Sequence, residues 1–323
     1  MWSSLVLLLV SLVLLTLGAE LLVRGASILA LRAGVSSFFV GMTIVGFGTS
    51  TPELATSIFA ALDGSPEIAV GNVVGSNIVN LTAILGAIAL VSPIAVRAGS
   101  ITREVLLLVA VTSLPYAALA TQGTLDRTIG IAFLLGLLGF VWWSYRTNRT
   151  SEPDADAPTV PAGWRGGVAW NGVLCLGGIA VLAGSSRLLV DSAVELATHW
   201  GVSELVIGLT IVAMGTSAPE LVTSLVAQIR GRSDLGLGNL VGSGIFNVLG
   251  ILGATALLQP TPISPQIFWF DLPIAILVAA AMLPIMRSGR RITRAEGIAL
   301  LAAFVLYTVA LYQEWPAGLT STG

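Results

Sequence analysis

Two stretches of this chain are copies of each other in one unslipping register. Glu53 and Glu220 lie 167 positions apart, and the same interval separates Gly34 from Gly201, Gly41 from Gly208 and Gly71 from Gly238. It also separates Ser76 from Ser243 and Asn80 from Asn247. "GFGTSTPELATS" (46–57) answers "AMGTSAPELVTS" (213–224), and "GNVVGSNIVNLTAILG" (71–86) answers "GNLVGSGIFNVLGILG" (238–253). Any fold must therefore be built twice from one plan, with the two plans related by whatever the intervening chain allows.

The intervening chain is apolar. Of the 323 residues 55% are hydrophobic and 10% charged, and the mean hydropathy is +0.93, more than a soluble domain can bury. Apolar stretches near 5–31, 37–61, 69–91, 104–121 and 127–145 form one set; a second lies near 167–198, 204–229, 236–257, 267–286 and 297–313. Each is close to the ~20 residues that cross a hydrocarbon core as a helix. Five spans per copy is odd, so the second copy enters from the opposite face. The expectation is an all-α polytopic membrane protein of ten transmembrane helices, arranged as two inverted five-helix repeats. The first repeat covers 1–146 and the second 167–323, joined by a polar, Pro-containing linker at 147–166. The opening residues lack the basic n-region of a signal peptide and read as a retained first span.

All fifteen basic residues are Arg. Twelve of them fall near span ends on one face, Arg127 on the other, and Arg24 and Arg187 inside the long first spans. The positive-inside rule makes the crowded face and the linker cytoplasmic and both termini extracytoplasmic. Tryptophans near span ends, such as Trp142, Trp143 and Trp269, suit interfacial anchors. No basic cluster interleaved with aromatic residues offers a nucleic-acid surface. Cys175 is alone and His199 lies at a span end, so soft-metal, disulfide and rhomboid-type serine chemistry have no components. Paired intramembrane acids also serve aspartyl proteases, but both acids here are Glu, and an enzyme is not expected.

The second span of each copy is the anomalous one. Pro52 and Pro219 each remove a helix hydrogen bond, and the expectation is that they free the carbonyls of Gly48 and Gly215 to line a cavity. Gly48 and Gly215 would also relax the backbone. Glu53 and Glu220 add charge at a depth where an ionised carboxylate costs at least ~2.5 kcal/mol. That cost is tolerable if a cation usually sits between them. Thr49 and Thr216 stand four residues before the acids, and Ser76 and Ser243 four before Asn80 and Asn247, so each pair shares a helix face. Carboxylate, hydroxyl, amide and backbone oxygens suit hard cations, calcium above magnesium because it tolerates many oxygens in flexible geometry.

"GTSTPELATS" and "GTSAPELVTS", each followed by a "GNxVGSxIxN" span, resemble the two α-repeats of the sodium/calcium exchanger family, within the cation/calcium exchanger superfamily. The resemblance implies broken helices at the α-repeats and an antiporter exchanging calcium for sodium by alternating access. It implies that Glu53 and Glu220 are central ligands shared by both ions. Thr49 and Thr216 would coordinate beside them, Ser50, Ser217, Ser76 and Ser243 would complete flanking sodium sites, the carbonyls of Gly46 and Ala213 would close the outer edges, and Asn80 and Asn247 would line the middle. Gly-Thr-Ser before the acid, rather than Gly-Asn-Ala, favours sodium over proton coupling. Asn247 stands where several prokaryotic relatives and the potassium-dependent branch carry Asp, which makes potassium dependence less expected. The implied partners are calcium, sodium and the bilayer of a plasma, bacterial or archaeal cell membrane; no cofactor is implied, and the brevity of the linker argues against a cytosolic calcium-sensing domain. A proton/calcium antiporter is the alternative within the class, and a cation channel the alternative outside it.

The remaining polar residues read as structural. Glu20 with Arg24, and Arg187 with Asp191, are four apart and suit ion pairs along the first spans. Glu195 and Asp271 are placed near interfaces without function. Gly71, Gly75, Gly238 and Gly242 suit close helix packing.

Overall fold

The computed structural model describes residues 2–62, 64, 66–96, 101–148, 167–199, 213–287 and 291–319. In the first half these form helices α1 (Trp2–Ala33), α2 (Ser37–Thr49), α3 (Thr51–Leu62), α4 (Ile68–Val91), α5 (Thr102–Thr121) and α6 (Arg127–Thr147). In the second half they form α7 (Val168–His199), α8 (Ala213–Thr216), α9 (Ala218–Ile229), α10 (Ser233–Leu258), α11 (Ile267–Ile285) and α12 (Arg294–Leu319). Eight of the described helices are long and apolar enough to cross a bilayer. The four short ones, α2, α3, α8 and α9, are the pieces of the two segments that carry the repeated acid. The linker from 149 to 166 and the expected start of the seventh span, 204–212, lie outside the described residues, as do Gly201 and Gly208.

Local chemistry explains the ends. Ser36 caps α2 by accepting from the Phe39 amide at 3.1 Å, and Asp126 caps α6 by accepting from the Ile129 amide at 2.9 Å. Gly34, at φ +61°, stops α1 in the left-handed conformation that glycine adopts without penalty. At 32 residues, α1 rises ~48 Å, more than the ~30 Å of a hydrocarbon core, so it tilts or overhangs.

Burial sorts the helices into two layers. Helices α4 and α10 have 83% of their most apolar window inside the protein, against 11–39% for the six other long helices. The outer surface is correspondingly greasy, with Leu176, Trp269 and Leu306 about seven-tenths exposed. In water such a surface would aggregate; facing acyl chains it costs nothing.

The halves are interlocked rather than merely adjacent. Helix α1 lies along α7, and α5 along α11, each helix beside its own repeat mate. Helix α12 packs on the end of α4, while α6 packs on the end of α10. Short strands follow the same rule: β1 (Ile94–Ala95) pairs antiparallel with β4 (Arg291–Ile292), and β2 (Thr124–Leu125) with β3 (Thr261–Pro262). A shift of 167 turns β1 into β3 and β2 into β4, so each pairing maps onto the other. Contacts that exchange in this way define a two-fold relation between the halves.

Helix α10 reaches α2 through bare backbone. A Cβ at Gly242 would sit 2.0 Å from the Met42 carbonyl oxygen, and one at Gly238 would sit 2.3 Å from that of Phe38. The equivalent surface for Gly71 and Gly75 would fall on 205 and 209, outside the described residues. Arg187 and Asp191 pair at 3.8 Å on an exposed stretch of α7. Glu20 receives two bonds from Arg230, at the end of α9, at 3.0 and 2.9 Å, an interhelical tie that its spacing from Arg24 does not anticipate. Asp271 is buried and accepts from the Tyr307 hydroxyl at 2.9 Å.

Candidate cation site

Both anomalous segments break at the residue just before the Pro-containing helix resumes. Ser50 sits at φ −79°, ψ 11° between α2 and α3, and Ser217 at φ −87°, ψ 5° between α8 and α9. Proline occupies the first turn of the resumed helix, where its missing amide would have had no partner anyway. Each glutamate then follows one residue later, in the first turn, where the helix N-terminus favours a negative charge.

Glu53 and Glu220 are both fully buried. Each carboxylate is gripped by the serine at the other half's break. Ser217 donates to Glu53 Oε1 at 3.1 Å, and Ser50 donates to Glu220 Oε1 at 2.9 Å. From the flanking helices, Ser217 also reaches Ser76 Oγ at 3.4 Å, and Ser243 reaches Glu220 Oε1 at 3.5 Å. Oε2 of both acids is buried with no hydrogen-bond partner. So are both polar atoms of Asn80 and the Oδ1 of Asn247. These two asparagines follow Ser76 and Ser243 by one helical turn and open a π-helical segment in α4 (Asn80–Ile84) and in α10 (Asn247–Leu252). Such wide turns recur at functional sites.

Desolvated oxygens left without donors are expensive, several kcal/mol for an ion and about 1–3 kcal/mol for a neutral group. Four of the five unpartnered atoms are oxygens, two of them carboxylate, so a positive charge coordinated among them would offset the cost. Among the described residues no three His, Cys, Asp or Glu side chains gather anywhere, so the fixed charge here comes from the two glutamates.

Hydrogen bonds link Thr49, Ser50, Glu53 and Ser76 of the first half to Ser217, Glu220 and Ser243 of the second. Thr49, Ser50, Glu53, Ser76 and Asn80 from one half, and Thr216, Ser217, Glu220, Ser243 and Asn247 from the other, are all buried. The Gly46 carbonyl is also there, but it is occupied, accepting from Ser243 Oγ at 3.1 Å, Thr49 Oγ1 at 3.3 Å and the Ser50 amide at 3.2 Å. Ala213 begins α8.

One expectation is overturned. Pro52 and Pro219 do not leave the carbonyls of Gly48 and Gly215 free: Thr51 Oγ1 donates to the first at 2.8 Å and Ser186 Oγ to the second at 2.6 Å. A buried carbonyl that loses its amide partner takes the nearest hydroxyl. Both glycines also lie close against α7. A Cβ at Gly48 would come within 2.5 Å of Ile179, and one at Gly215 within 2.4 Å of Val190, both on α7.

A supporting shell escaped sequence reasoning. Asn72 donates to the Glu53 carbonyl at 3.2 Å and to Ser57 Oγ at 3.0 Å. Its mate Asn239 donates to the Glu220 carbonyl at 3.4 Å and to Ser224 Oγ at 2.8 Å, and accepts from Thr49 Oγ1 at 3.0 Å. The signal was present, because Asn72, Asn239, Ser57 and Ser224 repeat at the same interval as the acids. Asn77 gave none, since its mate is Gly244.

Comparison with known proteins adds a context for this geometry. The sodium/calcium exchanger protein family matches residues 3–146 and 170–313. CaxA of Alkalimonas amylolytica, named only provisionally as an antiporter, is 41% identical over 290 residues, 86% of this chain and 89% of its own. The sodium/calcium exchanger MaX1 of Methanosarcina acetivorans is 30% identical, again over 86% of this chain and 89% of its own. Among solved structures, the sodium-calcium exchanger NCX_Mj superposes with a TM-score of 0.80 at 28% identity, covering 95% of this chain and 98% of that one.

Proposed function

Because the chain belongs to the sodium/calcium exchanger family, a family of membrane cation exchangers, we propose that it is a secondary antiporter exchanging calcium for sodium at the site between Glu53 and Glu220. The observation that carries this reading is the pair of fully buried carboxylates, each held by a serine of the opposite half and each keeping one oxygen without a donor. Two carboxylates balance one calcium, or two sodium ions with room for more at the neutral oxygens. Glu53 and Glu220 act as the central ligands, with Thr49, Thr216, Asn80 and Asn247 beside them. Ser50, Ser76, Ser217 and Ser243 furnish the flanking sodium positions, together with the backbone oxygens of Gly46 and Ala213.

Exchange follows from competition. An empty site leaves two charges uncompensated in a low-dielectric interior, so the unloaded carrier crosses slowly between its two states. Calcium or sodium removes that penalty through the same oxygens, and only a loaded carrier turns over. The eight long helices and two broken segments make ten crossings, arranged as two inverted repeats of five helices, 1–146 and 167–323. The Arg-rich face and the linker 147–166 are cytoplasmic and both termini extracytoplasmic.

The test is calcium-45 uptake into proteoliposomes loaded with sodium, against potassium-loaded vesicles and vesicles with an imposed pH gradient. Sodium-driven uptake, lost with Glu53→Gln or Glu220→Gln, is the expected result. Uptake driven by the pH gradient and indifferent to sodium would replace this reading with proton coupling.

A further inference from the structure

The two central asparagines are chemically identical and related by the repeat, yet their surroundings differ. Asn247 Nδ2 donates to Asn77 Oδ1 at 3.0 Å, and Asn77 Nδ2 donates to the Gly244 carbonyl at 3.1 Å. All three residues are buried. The chain of bonds decides which way round both amides sit. Were the Asn77 amide reversed, its oxygen would face the Gly244 carbonyl and its NH2 group would face that of Asn247, two like-for-like contacts at ~3 Å, well inside hydrogen-bonding range. With its nitrogen engaged, Asn247 has only Oδ1 left, and that atom is buried without a partner. On the other side the mate of Asn77 is Gly244, which has no side chain to offer. Asn80 accordingly has both Nδ2 and Oδ1 buried and unpartnered.

We propose that Asn77 is a positioning residue for the cation site, holding the Asn247 amide so that its carbonyl oxygen is presented to the ion while Asn80 is left to turn. The argument is one of preorganisation. An amide is a cation ligand through oxygen only, and an amide that can turn its NH2 group toward a cation loses affinity in proportion to how often it does. Locking the neutral side chain at 247 lets it serve as a fixed oxygen ligand without a charge of its own. This inference deepens the exchanger reading and rests on it.

The experiment is calorimetric titration of the purified full chain with calcium chloride, for wild type, Asn77→Ala, Asn247→Ala and the double variant. The expected result is that Asn77→Ala weakens calcium binding about tenfold, ~1.4 kcal/mol. Added to Asn247→Ala, it should change affinity by less than about twofold, because no amide remains to be oriented. An equal loss in both backgrounds would assign Asn77 to packing and overturn the proposal, as would an unchanged affinity in the single variant. If Asn77→Ala does not fold, Asn77→Ser enters the same cycle with the same two outcomes, since serine is too short to hold Asn247. Wild type that binds neither calcium nor sodium would instead sink the exchanger reading, and this inference with it.

Discussion

The breaks at Ser50 and Ser217 share a Gly-Thr-Ser-x-Pro-Glu sequence and nearly the same backbone angles, but different parts of the molecule hold them together. In the first half the Gly48 carbonyl is taken by Thr51, three residues along the same segment. In the second half Thr51 is replaced by Ala218, and the Gly215 carbonyl is taken by Ser186 on α7. The mate of Ser186 is Ala19 on α1, which carries no hydroxyl. Each half thus has one hydroxyl for its broken carbonyl, local in one and remote in the other. The requirement that is kept is a satisfied backbone, while the residue that satisfies it is exchangeable. A consequence is that the Gly215 carbonyl ties the second break to α7 by a hydrogen bond, whereas the Gly48 carbonyl is met within its own segment.

Substitutions at these positions test how far the two halves are equivalent. The largest effect belongs to what the halves share: Glu53→Gln and Glu220→Gln should each lower sodium-dependent calcium uptake more than about 1,000-fold in kcat/KM, ~4 kcal/mol. A difference between the two of more than about tenfold would show that the carboxylates are not equivalent partners. Next comes Gly242→Ala, whose new methyl must displace the Met42 backbone; it should destabilise the protein by about 1–3 kcal/mol or more, seen as a lowered unfolding midpoint in detergent. Ser186→Ala should cost about 1–3 kcal/mol because the Gly215 carbonyl is left buried without a donor. Thr51→Ala should cost less, since Thr51 is only part-buried and water can replace it. Equal costs would mean that the remote hydroxyl is no more important than the local one. The smallest effect is expected from Arg230→Ala. Its bond to the partly exposed Glu20 should contribute about 0–1 kcal/mol, and less as salt is raised.

Much of this architecture was legible in the sequence, and the reason is the solvent. In a bilayer a span must close its own backbone hydrogen bonds, so apolar length alone places helices. Eight of the ten expected stretches fall on the eight long helices, 37–61 falls on two pieces broken at Ser50, and 204–229 is described only from Ala213 onward. The core of the site was legible for a related reason, since an acid at that depth needs a partner, and its repeat mate is the obvious place to look. What escaped were interactions whose partners are set by packing alone. Ser186 meets Gly215 across 29 residues, and Arg230 meets Glu20 across 210, with no periodicity to announce either. Asn77 escaped because the repeat, the best guide to the site, breaks at that position.

The exchanged strands set a schedule for making the molecule. Ile94 and Ala95 find their partners only in Arg291 and Ile292, so the first half cannot close until almost the whole chain has left the ribosome. At ~5–20 residues per second, that is a wait of roughly 10–40 s. Ser217 follows Glu53 by 164 residues, so for roughly 8–33 s of that time Glu53 is in the membrane without it, a charged residue in lipid awaiting its counterpart. A half expressed alone would remain in that condition, and it should be a substrate for quality control unless the other half is supplied in the same membrane.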